Sequence, residues 1–245
     1  MQDKVDSFGT SYALNKINEK NPIVFIHGVG LTKEIWEPQI NFFKEYNTLT
    51  YDLLGHGKTP LKKSRVSFED FSDQLFNLIN ELGFDKIHLV GFSLGALIAR
   101  HFTSKHDNRL SSLIMHGSIY KRTEDQKRVV KNRFEIAKTN RSGSKHSAIR
   151  RWLSEDFIKK NPDVYKKIYS TLEKNNHKDF LKVIFTSLAH TIPQRCFPLF
   201  ISTNSLPRII LLKFLDISGV DPTSFSPVVI RVLTLIFFNT LSSSM

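Results

Sequence analysis

Through the first half of the chain, short β-branched apolar runs alternate with longer stretches whose apolar residues recur every three or four positions. The runs are NPIVFIHG (21–28), NTLTYDLL (47–54), DKIHLVGF (85–92) and LSSLIMHGS (110–118), each with a glycine at or beside its carboxyl end. Such runs predict strands buried on both faces. Between the second and third lies FEDFSDQLFNLINEL (68–82), which gathers Phe71, Leu75, Leu78, Ile79 and Leu82 on one helical face. Ser67 with Asp70 three residues on resembles a capping box, and Gly83 marks the far end. KEIWEPQINFFKEY (33–46) predicts a broken or late-starting helix, because Pro38 is tolerated only in a first turn. GALIARHFTSKH (95–106) predicts another helix. This alternation implies right-handed crossovers and an α/β fold, a mostly parallel sheet with helices on both faces.

The segment IHLVGFSLGALIAR (87–100) carries Gly91, Ser93 and Gly95 where a strand-like run meets a helix-like one. A Gly-x-Ser-x-Gly turn in that context strains the central backbone and pushes the serine outward. Its glycines leave room where strand and helix nearly touch. Ser93 is therefore a candidate nucleophile.

Four motifs, taken in order, resemble the α/β-hydrolase superfamily. They are His27-Gly28-Val29-Gly30, the stretch from Asp52 to Thr59 (DLLGHGKT), the GFSLG turn, and LSSLIMHGS, which together cover residues 21–119. HGVGLTKEIWEPQ and YDLLGHGKTP are most similar to small-molecule esterases and to lactonases such as 3-oxoadipate enol-lactonases, with meta-cleavage-product hydrolases close behind. The resemblance implies a core begun by residues 1–119, a helical cap over 120–190 and the rest of the core in 191–245. It further implies acyl transfer to water through an ester on Ser93. The backbone N–H of Leu94 and that of Val29 would form the oxyanion hole, each such donor contributing about 3 kcal/mol to the transition state. C–C bond hydrolysis of dienoic acids shares every motif.

A serine of this kind needs a histidine oriented by a carboxylate, arriving after it in the chain. Here the sequence departs from the family. The strand after the cap is expected at FPLFIST (197–203), with no carboxylate before Asp216 and then Asp221, and no histidine follows His190. General base and acid are thus left unassigned. His27 and His56 read as structural members of turns, and His88 and His101 as packing residues. His116, ending the fourth strand at the sheet's carboxyl edge, is the foremost substitute base and His190 the next. His106, His146 and His177 read as surface positions.

Composition narrows the picture. At 245 residues the chain fits one large α/β domain. Its lone Cys196 excludes an intramolecular disulfide or a cysteine-based metal cluster, so no metal or cofactor is expected and a reducing cytoplasm is the default compartment. No apolar run reaches the roughly 18 residues of a membrane span. The closest, PVVIRVLTLIFF (227–238), holds Arg231. The net charge of +12 resides in the middle segment: residues 120–182 hold 18 basic and 8 acidic side chains, whereas 1–119 hold 13 of each. Interspersed acids favour a solvated helical face over a nucleic-acid surface. The partner expected is a small molecule, steered where it carries a carboxylate, and the oligomeric state is not indicated.

From Cys196 onward only 5 of 50 residues are Asp, Glu, Lys or Arg. Resemblance to the family stops at the same place. Two explanations fit: an apolar last strand and helix whose triad is lost or relocated, or a reading frame broken near residues 194–197. Resequencing that stretch separates them. If no single-base shift brings in a tail bearing both Asp and His, the broken frame is ruled out.

Overall fold

The computed structural model describes residues 2–119, 122–189 and 208–212. Their strands form one sheet in the order β1-β2-β4-β3-β5-β6-β7. Strands β1 (Lys4–Val5) and β2 (Ser11–Asn15) form an antiparallel edge, with β2 antiparallel to β4 (Thr48–Tyr51). From there β3 (Ile23–Ile26), β5 (Ile87–Phe92), β6 (Leu110–His116) and β7 (Arg208–Leu212) run parallel to their neighbours. Each of the four apolar runs thus contains a strand. Val24, Phe25 and Ile26 are fully buried, as a strand flanked by β4 and β5 and covered on both faces requires.

The helices follow their local signals. Helix α2 (Phe68–Glu81) opens on a complete capping box: Ser67 Oγ accepts from the Asp70 N–H at 3.1 Å, and Asp70 Oδ2 accepts from the Ser67 N–H at 2.7 Å. Its buried face holds Phe71, Leu75, Leu78 and Ile79, while Leu82 is only half-buried. Pro38 delays the preceding helix as expected. A 3-10 turn at Lys33–Trp36 leads into the short α1 (Glu37–Phe42), with Pro38 in its first turn. Helix α3 (Leu94–His106) packs beneath the sheet and buries Ala96, Ile98, Ala99 and Phe102.

Among the described residues five helices follow β6: α4 (Glu124–Thr139), α5 (Arg141–Trp152), α6 (Glu155–Lys160), α7 (Pro162–Lys174) and α8 (His177–Ala189). We call them the helical insert. The strand beside β6 after this insert is Arg208–Leu212, with Ile114 opposite Ile210. Residues 197–203, where the sequence pattern places that strand, lie outside the described residues, as do Asp216, Asp221 and His190. RIILL is itself a β-branched apolar run, and among the described residues of the tail it joins the sheet.

A charged cluster missing from the sequence reading fixes the end of β4. Asp52 is fully buried, and its carboxylate accepts from the Lys33 N–H at 2.8 Å, the Lys33 Nζ at 3.0 Å and the Lys58 N–H at 3.0 Å. Lys33 is only 3% exposed. Burial works against its charge, yet Asp52, with Glu34 and Asp3 nearby, holds its ammonium above the usual lysine range. The turn wraps this carboxylate so tightly that a Cβ on Gly57 would lie 2.3 Å from Asp52 Oδ2. Asp52→Ala would bury an ammonium without its principal carboxylate. The expected loss is about 3 kcal/mol of unfolding free energy, read as a lower urea midpoint at an unchanged m-value.

Candidate active site

The link between β5 and α3 is short, and its residues have little choice. A Cβ on Gly91 would lie 2.4 Å from the Gly95 carbonyl oxygen, and one on Gly95 would lie 2.3 Å from the Ile26 carbonyl oxygen. Between them Ser93 adopts φ 55°, ψ −111°, and among the described residues no other non-glycine residue has positive φ. Its N–H donates to the His116 carbonyl at 2.8 Å, which pins the turn to the end of β6. The result is a half-buried hydroxyl at the carboxyl edge of the sheet, on a backbone that stores about 1–3 kcal/mol of strain.

Facing this turn is the loop after β3, where Gly28 passes so close that a Cβ there would lie 3.4 Å from the Ser93 Cβ. Two buried histidines fix the loop in a reciprocal arrangement. His27 Nε2 accepts from the Leu53 N–H at 3.1 Å, so its proton sits on Nδ1, which donates to the Gly28 carbonyl at 2.8 Å. His56 Nε2 accepts from the Gly30 N–H at 2.9 Å, and its Nδ1 donates to the Leu54 carbonyl at 3.2 Å. Each loop thus lends a histidine to the other. The rings meet edge to face, 5.2 Å apart.

The Gly28 carbonyl also accepts from the Leu31 N–H at 3.2 Å. In a planar trans peptide the carbonyl and the following N–H point in opposite directions. Anchoring the Gly28 oxygen therefore aims the Val29 N–H the other way, and that N–H makes no hydrogen bond among the described residues. Leu94 is the first residue of α3, so its N–H has no partner in the helical ladder. Leu94 follows Ser93 directly in the chain, and Gly28, which precedes Val29, is the residue of the other loop that approaches the Ser93 side chain.

The other histidines separate clearly. His116 stacks on Phe92 with ring centroids 5.3 Å apart, and burial lowers its pKa. No hydrogen bond joins it, or any other histidine among the described residues, to Ser93 Oγ. His88 Nδ1 lies 2.8 Å from Ser112 Oγ, and His101 Nδ1 lies 2.8 Å from Ser72 Oγ. His146 is exposed and stacks on Tyr169. His106 and His177 are half-buried rather than free on the surface: His106 lies 4.4 Å from the Phe76 ring centroid, and His177 stacks on Phe180. A groove of about 660 Å³ opens between the N-terminal end of α2 and the insert, lined in part by Phe68, His101, Phe134 and Phe185. Ser93 is not part of its wall.

With this geometry in view, the chain can be placed. The alpha/beta hydrolase fold family matches residues 21–184, and the chain belongs to it. It is 30% identical over 143 residues to an (E)-2-((N-methylformamido)methylene)succinate hydrolase of Acinetobacter baylyi, covering 58% of this chain and 54% of that one. A 3-oxoadipate enol-lactonase 1 of the same species is 27% identical over 168 residues, covering 66% and 60%. A pimeloyl-[acyl-carrier protein] methyl ester esterase of Legionella pneumophila is 33% identical over 102 residues, covering 41% and 39%. The matched region thus spans between 39% and 60% of the length of these relatives. Among solved structures, the enol-lactonase of Burkholderia xenovorans LB400 superposes with a TM-score of 0.69 at 18% identity, over 77% of this chain and 74% of that one. The expected likeness to enol-lactonases is met. No helix among the described residues is long and apolar enough to cross a membrane.

Burial holds His27 down at about 4 and His56 at about 3, the latter also disfavoured by its neighbour His27. Both are neutral acceptors in the fold but take up protons near pH 6.5 once unfolded. The stability they contribute is complete above about pH 6.5 and declines as pH falls towards 4. Each adds a slope of up to about 1.4 kcal/mol per pH unit. His56→Gln should flatten the dependence of unfolding free energy on pH between 6.5 and 4. An unaltered slope would contradict the neutral-acceptor assignment.

Proposed function

We propose that the chain is a serine hydrolase acting on a small carboxylic ester or lactone through an acyl-enzyme. The observation that carries this reading is the backbone of Ser93: a positive-φ serine held between two glycines whose places no side chain can occupy. Ser93 Oγ attacks the substrate carbonyl, and the carbonyl electron pair moves onto oxygen between the N–H groups of Val29 and Leu94. Collapse expels the alkoxide, which takes up the proton given up by the Ser93 hydroxyl and leaves as the alcohol. Water then attacks the ester on Ser93, releasing the acid and restoring the hydroxyl. The helical insert acts as a cap over this edge of the sheet. Its excess of basic side chains favours substrates that carry a carboxylate. The succinate hydrolase and enol-lactonase among the relatives support that substrate class.

The sequence itself favours a second reading. With no histidine after His190 and none bonded to Ser93 among the described residues, the chain is also suited to binding without turnover. A fluorophosphonate probe distinguishes the two. Labelling that is abolished in Ser93→Ala supports the hydrolase. A folded, unlabelled wild-type chain supports the binding protein.

A further inference from the structure

Asn175 occupies the turn between α7 and α8 and is 4% exposed. Its Nδ2 donates to the Gly30 carbonyl at 2.6 Å, and its Oδ1 accepts from the Gly57 N–H at 2.9 Å. One side chain of the insert thus ties together the loop after β3 and the loop after β4. The surrounding surfaces fit closely. A Cβ on Gly30 would lie 2.9 Å from Leu172 Cδ2 and 3.1 Å from Phe180, and a Cβ on Gly55 would lie 3.2 Å from the Asp179 Cβ. The insert rests directly on the glycines of both loops.

Gly30 is consequently held at both ends of its backbone, its N–H by His56 and its carbonyl by Asn175. The core supplies the first restraint and the insert supplies the second. Val29, whose N–H we read as an oxyanion donor, lies between the anchored Gly28 carbonyl and the anchored Gly30. We propose that Asn175 is a positioning residue that makes the direction of the Val29 N–H depend on docking of the insert. The core aims the donor through the Gly28 carbonyl and the seated insert tightens it through Gly30, so closure over a substrate and tightening of the hole are one event. This rests on the reading of Val29 as an oxyanion donor.

The two hydrogen bonds can be separated. Asn175→Asp keeps an acceptor for Gly57 but loses the donor to Gly30, whereas Asn175→Ala loses both. Amide exchange on the full chain should therefore quicken at residues 28–31 in both variants, and at 56–58 only in the alanine variant. Exchange in the β5 core should be unchanged. Labelling of Ser93 by the fluorophosphonate should slow by about tenfold in both, since a small misplacement of a reacting group carries a penalty of that order. If exchange at 28–31 matches wild type in both variants, or labelling slows in neither while wild type labels normally, the proposal is overturned. A wild-type chain that exchanges as expected but never labels removes the serine-hydrolase reading alone. Should Asn175→Ala fail to fold, the aspartate variant still decides, because it retains the Gly57 contact.

Discussion

A methyl group on Gly95 would sit 2.3 Å from the carbonyl oxygen of Ile26 and 2.8 Å from that of His27. Backbone presses on backbone here, and that contact organises the carboxyl edge of the sheet. It brings the first turn of α3 over the end of β3 and leaves the chain so little length that Ser93 takes a left-handed conformation. It also sets the loop after β3 beside the same serine, since His27 and Gly28 continue directly from the pressed strand. Hydrophobic burial of β3, β5 and α3 provides the force, and the two glycines permit the distance.

What surrounds that contact is held by polar groups that reach from one loop to the next. His27 and His56 exchange hydrogen bonds between two loops, Asp52 gathers two N–H groups and an ammonium, and Asn175 closes the assembly from the insert. A loop of glycines would otherwise sample many conformations, since it has little side-chain area to bury. Anchored at the Gly28 oxygen and both ends of Gly30, it presents one N–H in one direction. Order in this loop therefore comes from its neighbours rather than from its own residues.

The parts legible in sequence were those with local causes. The Ser67–Asp70 capping box, the late start imposed by Pro38 and the Gly91-Phe92-Ser93-Leu94-Gly95 turn each depend on residues a few positions apart, and each stands in the structure. The structural roles of His27 and His56 were also readable, because turn motifs carried them. The Lys33–Asp52 pair lies nineteen residues apart, and Asn175 lies 145 residues from its partner Gly30. Neither has a local signature: a lysine in a turn and an asparagine in a basic helical segment both read as solvated. The strand expected at FPLFIST lies outside the described residues, and the described strand beside β6 is RIILL, which has similar propensity.

The left-handed serine has a consequence for how this chain tolerates change. Glycine would occupy the Ser93 conformation without strain, so substitution there should make the protein harder to unfold while removing the hydroxyl on the turn. Selection for robustness alone would drift towards glycine at this position. Serine is the less durable choice at this position, and its cost is confined to a single dihedral angle.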